Sequence, residues 1–174
     1  MKRLLMGVLA LGLLTIPVES ALAQRNSRAT SKISVGGKTV SVEYGRPSLN
    51  GRKVSELLDQ LKPGDFWRLG ADKSTTFSTA VDLEFGDAAV PSGEYSLWVE
   101  RAEGDSWKLV FNKQHGQWGT QHDAAQDLVS TPLKETKTSN SAEMVTIDLM
   151  KSAKGDMITI QWGDMKLAAS FKAK

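Results

Sequence analysis

The sequence predicts a mostly β domain, an antiparallel β-sandwich or open barrel with one short helix. Three observations carry this expectation. Apolar and polar residues alternate with a period of two in at least five separate stretches, the mark of half-buried strands. Glycine-containing turn signals separate most of these stretches at short intervals, too short for helical crossovers and a parallel sheet. Beyond the N-terminal segment, helical spacing of apolar residues occurs clearly once.

The elements follow in order. Ile33-Ser34-Val35, Gly36-Gly37 and Val40-Ser41-Val42-Glu43-Tyr44 read as a hairpin. Gly45 to Lys53 is a loop punctuated by Pro47 and Asn50-Gly51. Val54, Leu57, Leu58 and Leu61 lie on one helical face, and Lys62-Pro63-Gly64 is a stop, which predicts a helix of two turns or slightly more. Thr75–Ser78 and Val81–Phe85 read as extended, and Val90-Pro91-Ser92-Gly93 as a turn. Tyr95–Val99 and Trp107–Phe111, joined through Glu103-Gly104-Asp105, form a second hairpin. Gln114–Gln126 is a long polar loop with a short helical turn over Asp123–Leu128; loops of this length in compact domains are commonly functional. A strand over Val129–Thr138, interrupted by Pro132, precedes strands at Val145–Leu149 and Ile158–Trp162 around a Lys154-Gly155-Asp156 turn. Gly163-Asp164 then reads as a last tight turn before Leu167–Phe171.

The N-terminus reads as an export signal. Met1-Lys2-Arg3 is basic, Leu4–Val18 is apolar apart from Gly7, Gly12, Thr15 and Pro17, and Ala21-Leu22-Ala23 fits a small-x-small cleavage site. The apolar run is too short for a spanning helix. The organisation expected is therefore a cleaved signal peptide (1–23), a flexible lead-in (24–30) and a single β domain (31–174), exported to the periplasm or secreted.

Composition narrows the partners. The chain has 174 residues, a 40% hydrophobic fraction and a net charge of +2. Removing residues 1–23, which carry Lys2, Arg3 and Glu19, leaves +1. A near-neutral domain has no strong field for nucleic acid or an anionic membrane. With no cysteine, disulfides, thiolate metal sites and a cysteine nucleophile are excluded. No cofactor is implied, and no membrane span is expected after signal cleavage. The partners expected are a small anionic ligand or an envelope protein.

An ordered set of segments resembles a bacterial family known as a domain of unknown function, DUF2911. They are Val42-Glu43-Tyr44-Gly45-Arg46-Pro47-Ser48, Asn50-Gly51-Arg52-Lys53-Val54, Phe66-Trp67-Arg68-Leu69-Gly70-Ala71, Ser74-Thr75-Thr76-Phe77, Ser92-Gly93-Glu94-Tyr95-Ser96-Leu97, Trp107-Lys108-Leu109-Val110-Phe111-Asn112 and Gln117-Trp118-Gly119. The likeness spans Ile33 to Phe171. The family pattern has Ala-Asn where this chain has Ala71-Asp72. The resemblance implies an exported domain and no activity.

Three constellations could carry chemistry. Arg46, Arg52 and Arg68 each lie near a glycine or proline, and guanidinium forks suit carboxylate, phosphate or sulfate. Folding of Gly45–Lys53 over Trp67–Thr76 would bring them together with the hydroxyls of Thr75 and Thr76. The competing account pins them on Asp59, Asp65, Asp72 or backbone carbonyls. His115, His122 and Asp123 on the polar loop could supply a general base, but no frame aligns them as a metal site, and none is assigned. Among the tryptophans, Trp107 and Trp162 share the apolar phase of their strands and belong in the core. Trp98 is out of phase, and Trp118, in a polar loop, is either a loop anchor or a ligand contact.

The function expected is a non-catalytic ligand- or partner-binding domain of the cell envelope. Its surface would comprise Tyr44, Arg46, Arg52, Trp67, Arg68, Thr75 and Thr76, together with Asn112, Lys113, Trp118 and His122. The alternatives are a hydrolase-like enzyme using the loop histidines, and a structural module in which every one of the three arginines is saturated by protein acceptors. Gly-x-Ser-x-Gly, P-loop, Gly-x-Gly-x-x-Gly and His-Glu-x-x-His patterns are absent. Intact-mass measurement on protein recovered from the cell envelope or medium should place Gln24 at the N-terminus; a chain retaining residues 1–23 would refute the cleavage site.

Overall fold

The computed structural model describes residues 27–152 and 155–174. The expected signal peptide, the first residues of the lead-in and Lys154 of the expected Lys154–Asp156 turn lie outside them.

The first hairpin forms as the alternation predicts: β1 (Arg28–Val35) pairs with β2 (Lys38–Gly45) through Gly36 and Gly37, both at positive φ. β1 starts within the expected lead-in. Arg28 pairs in register with Gly45 and its Nε lies 2.7 Å from Glu43 Oε1, so Arg28–Thr30 is strand and not free chain. The helix α1 (Val54–Leu58) is only five residues long, shorter than the apolar spacing predicts. Asp59 caps it, and Leu61 continues the apolar face on a turn in which Leu61 N–H bonds Leu58 O.

The remaining strands build one antiparallel sheet. β3 (Phe66–Trp67), β4 (Thr76–Thr79), β5 (Leu83–Phe85) and β6 (Ala88–Val90) are short. β6 meets the expected Val90–Gly93 turn only at Val90; it forms because Leu83–Phe85 finds a partner in Ala88–Val90 across Gly86 at positive φ. β7 (Gly93–Ala102) and β8 (Ser106–Asn112) form the second hairpin.

β9 (Asp127–Ser152) and β10 (Gly155–Ala173) replace what the sequence suggested were four shorter strands. Pro132 does not interrupt β9; it lies opposite Lys108 on β8. Gly163-Asp164 is likewise not a turn. Gly163, at φ +59°, sits at an irregularity where Gln161 pairs Thr146, Gly163 pairs Ala142 and Met165 pairs Lys137, so β9 carries the surplus residues and β10 runs on.

Strand order is β1-β2-β4-β7-β8-β9-β10-β5-β6, with β3 beside β7, and the sheet is not closed. The chain after β2 crosses to β9. Leu49 N–H bonds Glu143 O, Val145 N–H bonds Pro47 O, and Glu143 Oε1 accepts from Ser48 Oγ and Asn50 N–H. These bonds hold the exposed Glu143 carboxyl below the usual carboxylate range, so this tie is present at neutral pH and is released as pH falls through that lowered value.

The concave face holds the core. Phe85 meets Phe111, Phe171 and Phe77 at ring distances of 4.9, 4.8 and 6.2 Å. Val40, Val42, Leu97, Leu109, Ile147, Ile158, Ile160 and Leu167 are buried around them. A second, smaller layer lies on the other face of β7 and β8. Ser96, Trp98, Val110 and Asn112, all in the opposite phase, are buried as well. The polar loop 113–126 supplies contacts there: Gln117 Nε2 donates to Ser96 Oγ at 3.2 Å, and Asn112 Nδ2 donates to Asp123 O at 2.8 Å.

Packing is tightest where β2 ends. A Cβ at Gly45 would lie 2.8 Å from Ala71 N and closer still to Ala71 O. Overpacking against backbone typically costs about 1–3 kcal/mol. Gly45→Ala should lower the unfolding free energy by at least about 1 kcal/mol in a denaturant titration; an unchanged midpoint would contradict this packing.

Candidate functional site

A cleft of about 540 Å³ opens between α1 and the loop around Thr120. It exists because β3 pairs only with β7; no described strand covers its other edge. Residues from both faces of β3 therefore reach it. Trp67, on the core face, stacks on Trp162 of β10 at 5.7 Å and 11°. Phe66 reaches the opposite face, beside Trp98. Leu57, Leu58 and Leu61 close the helix side.

His122 enters this aromatic wall. Its ring centroid is 4.1 Å from Phe66 and 4.7 Å from Trp98, and its side chain is only 12% exposed. His122 Nε2 lies 2.9 Å from Asp127 Oδ1, which also accepts from Asn112 Nδ2 at 2.7 Å. A carboxylate only accepts, so neutral His122 carries its proton on Nε2 and keeps the Nδ1 lone pair. Nδ1 has no protein partner among the described residues and is not sealed from solvent.

The arginines divide. Arg46 turns away from the cleft: Nε donates to Val145 O at 3.1 Å and Nη2 to Thr146 Oγ1 at 3.2 Å. Arg52 lines the cleft but is tied locally, with Nε on Leu49 O at 2.8 Å and Nη2 on Ser48 O at 3.3 Å. Arg68, half-buried in the cleft wall, makes no hydrogen bond or ion pair with any described residue. No aspartate or glutamate among the described residues lines the cleft. The expected convergence of three arginines reduces to one free guanidinium with a second beside the same cavity.

Of the other residues placed on the expected surface, Trp67 and His122 line the cleft and Tyr44, Thr75, Thr76, Asn112, Lys113 and Trp118 do not. Tyr44 is a core residue; burial pushes its hydroxyl above the usual tyrosine range, against a backbone hydrogen bond at Ile147 and the nearby Arg46 charge. Thr75 is sealed in, its Oγ1 donating to Leu69 O at 3.0 Å, and Thr76 Oγ1 donates to Ser74 O. Asn112 is fully buried and organises the loop: besides its two Nδ2 bonds, its Oδ1 accepts Gln114 N–H at 2.9 Å. Lys113 is exposed and its N–H bonds Gln126 O. Trp118, 52% exposed, neither lines the cleft nor anchors its loop through its ring, since its backbone bridges to Lys73. His115 lies outside the cleft near Glu94, and Asp123 caps Ala125 N–H, so Asp127 is the histidine's partner instead.

Sequence reasoning missed Phe66, Trp98, Asp127 and Trp162 as site residues. Trp162 Nε1 is buried with no hydrogen-bond partner. The out-of-phase Trp98 was the one available signal, because an outward tryptophan on a central strand requires a cover. Among the described residues, no group of three His, Asp or Glu is arranged to hold a metal ion.

The fold and the cleft define a class: a mostly β domain with one aromatic, cationic, carboxylate-free cavity at the free edge of a short strand. The profile of the family described as "Protein of unknown function (DUF2911)" matches residues 26–171, and the chain belongs to that family. No curated protein and no solved structure matches it. Asp72 sits at φ +62°, a backbone region that aspartate enters more readily than most residues, and its carbonyl accepts Gly119 N–H at 2.7 Å.

Asn112→Ala should cost about 2–3 kcal/mol, since it removes three hydrogen bonds made by a fully buried amide. It should also raise hydrogen exchange across 113–127 more than across β10; uniform loss of protection would contradict the local role given to this side chain.

Proposed function

We propose that this protein is an exported binding domain of the cell envelope, its cleft holding a small amphipathic anion. The observation that carries the reading is Arg68, a half-buried guanidinium with no acceptor among the described residues, in a cavity where none of them supplies a carboxylate to the lining. A guanidinium built to pin loops is matched, as Arg46 is. The cavity lies in the size range of small-ligand sites, mostly apolar with a few polar groups, as such sites are. Capture of an envelope protein would call for a broad exposed apolar surface, whereas the exposed large apolar side chains here are the scattered Trp118, Leu128 and Met150.

A hydrolase is the second reading, and one observation favours it: His122 stands in the cleft hydrogen-bonded to a carboxylate, the pairing that orients a general base. No serine or threonine hydroxyl bonds to His122 among the described residues, which supports binding over an acyl-enzyme route.

Octanoate or phenylacetate at about 100 times its dissociation constant should stabilise the purified protein by about 2.7 kcal/mol, a thermal shift of a few degrees. Arg68→Gln should abolish the shift. Arg46→Gln should lower the melting temperature of the free protein yet leave the shift intact. A shift that survives Arg68→Gln, or none with either carboxylate, would refute the reading.

A further inference from the structure

We infer that the cleft selects a planar aromatic monocarboxylic acid whose ring carries a hydrogen-bond donor, with the carboxylate on Arg68 and the donor on His122 Nδ1. This rests on the anion-binding reading above and specifies its ligand.

Charge sets the head group. Among the described residues the cleft has one guanidinium free of protein partners, a second already engaged with Leu49 and Ser48 carbonyls, and no lysine. A single free fork matches the two oxygens and single charge of a carboxylate. A phosphate monoester brings nearly two charges and three oxygens, and the described residues of the cavity offer no second free cation for them.

The walls set the body. Phe66, Trp67, Trp98 and Trp162, with the His122 ring between two of them, give rigid flat surfaces. Aromatic side chains offer large contact area at low conformational cost and favour stacked or edge-on partners. A sugar acid would bring several hydroxyls into a cavity whose polar side chains are Arg52, Arg68, Thr120 and His122, leaving most of those hydroxyls unpaired.

The donor requirement comes from Asp127. It is fixed by the buried Asn112 and holds the imidazole proton on Nε2, so neutral His122 presents only an acceptor. Tilted ring contacts with Phe66 and Trp98, together with the bond to Asp127, favour this orientation of the imidazole. A phenolic hydroxyl or ring N–H satisfies Nδ1; an unsubstituted ring leaves it to water.

The test is calorimetric titration of the purified protein at neutral pH with phenylacetate, 4-hydroxyphenylacetate, octanoate and inorganic phosphate. The aromatic acids should bind, the hydroxylated one roughly two- to tenfold tighter, the span of one net hydrogen bond. Octanoate and phosphate should bind at least tenfold more weakly than 4-hydroxyphenylacetate. His122→Phe, which keeps a ring between Phe66 and Trp98, should erase the preference for the hydroxyl and leave phenylacetate affinity in place. Arg68→Gln should weaken both aromatic acids at least tenfold. Octanoate or phosphate binding as tightly as the aromatic acids, with dependence on Arg68, would overturn this inference and leave the anion reading standing. A hydroxyl preference that persists in His122→Phe would overturn the role of Nδ1. No binding of either acid class would overturn both readings.

Discussion

The approach of Gly45 to the backbone of Ala71 is the contact on which the rest of the site depends. It sets the end of β2 directly on the reversal Leu69–Lys73, with no side chain between. That reversal places two non-glycine residues in the left-handed region, Leu69 at φ +53° and Asp72 at φ +62°. Such residues cost about 1–2 kcal/mol each and persist only when their surroundings hold them. Here the surroundings do so from three sides. Thr75 Oγ1 bonds the Leu69 carbonyl, Gly119 N–H bonds the Asp72 carbonyl, and Ser74 N–H bonds Gln117 O. Gly70 and Gly119 repeat the logic of Gly45: a Cβ at Gly70 would meet Thr75 Oγ1 at 2.9 Å, and one at Gly119 would meet Asp72 O at 2.8 Å. The polar loop can therefore close on the reversal, and Arg68, at its start, passes its stem along Gly119 and into the cleft.

A second consequence runs through the outer face of the sheet. An antiparallel strand with one face in water would expose Ser96, Trp98, Val110 and Asn112. The loop makes that face an interior, and Asn112 supplies the hydrogen bonds that an irregular covering segment cannot supply to itself. The same amide fixes Asp127, and Asp127 fixes His122. The position of the imidazole in the cleft is thus set by a buried side chain on a central strand. A loop histidine acquires the definition of a core residue in this way, which is the support a binding group needs.

Legibility in the sequence followed the range of the interactions involved. Hairpins such as β1–β2 and β7–β8 were readable because period and turn chemistry are local. β9 and β10 were not, because Pro132 and Gly163 signal a break locally and only the pairing of two long strands shows that one is tolerated and the other marks a register shift. The arginines had equivalent neighbours in sequence; what separates Arg46 from Arg68 is that the chain after β2 crosses to β9 and delivers Thr146 and the Val145 carbonyl to Arg46 alone. Asp123 was the nearer carboxylate to His122 in sequence, but it is consumed in capping the short turn Ala124–Gln126, while Asp127 is the first residue of a paired strand. Trp118 looked like the tryptophan with something to do and is the one most open to water, whereas Trp98 and Trp162 line the cavity.

The distribution of unsatisfied groups carries the last step. Buried polar atoms in folded proteins are almost always paired, and each exception calls for a reason. The described residues have two sealed atoms without partners, and one of them, Trp162 Nε1, belongs to a residue of the cleft wall; the other, Gln114 Oε1, lies in the covering loop. The same cleft holds an unmatched guanidinium and an imidazole lone pair without a protein donor. Other polar groups are paired, Arg52 of the same cleft on two local carbonyls and Glu143, away from it, on a hydroxyl and an amide. A sequence that satisfies Arg46 and Arg52 on protein acceptors, yet leaves donor and acceptor open in one aromatic cavity, gathers most of its departures from internal consistency there. Such departures are expected where a molecule from outside completes the pairing.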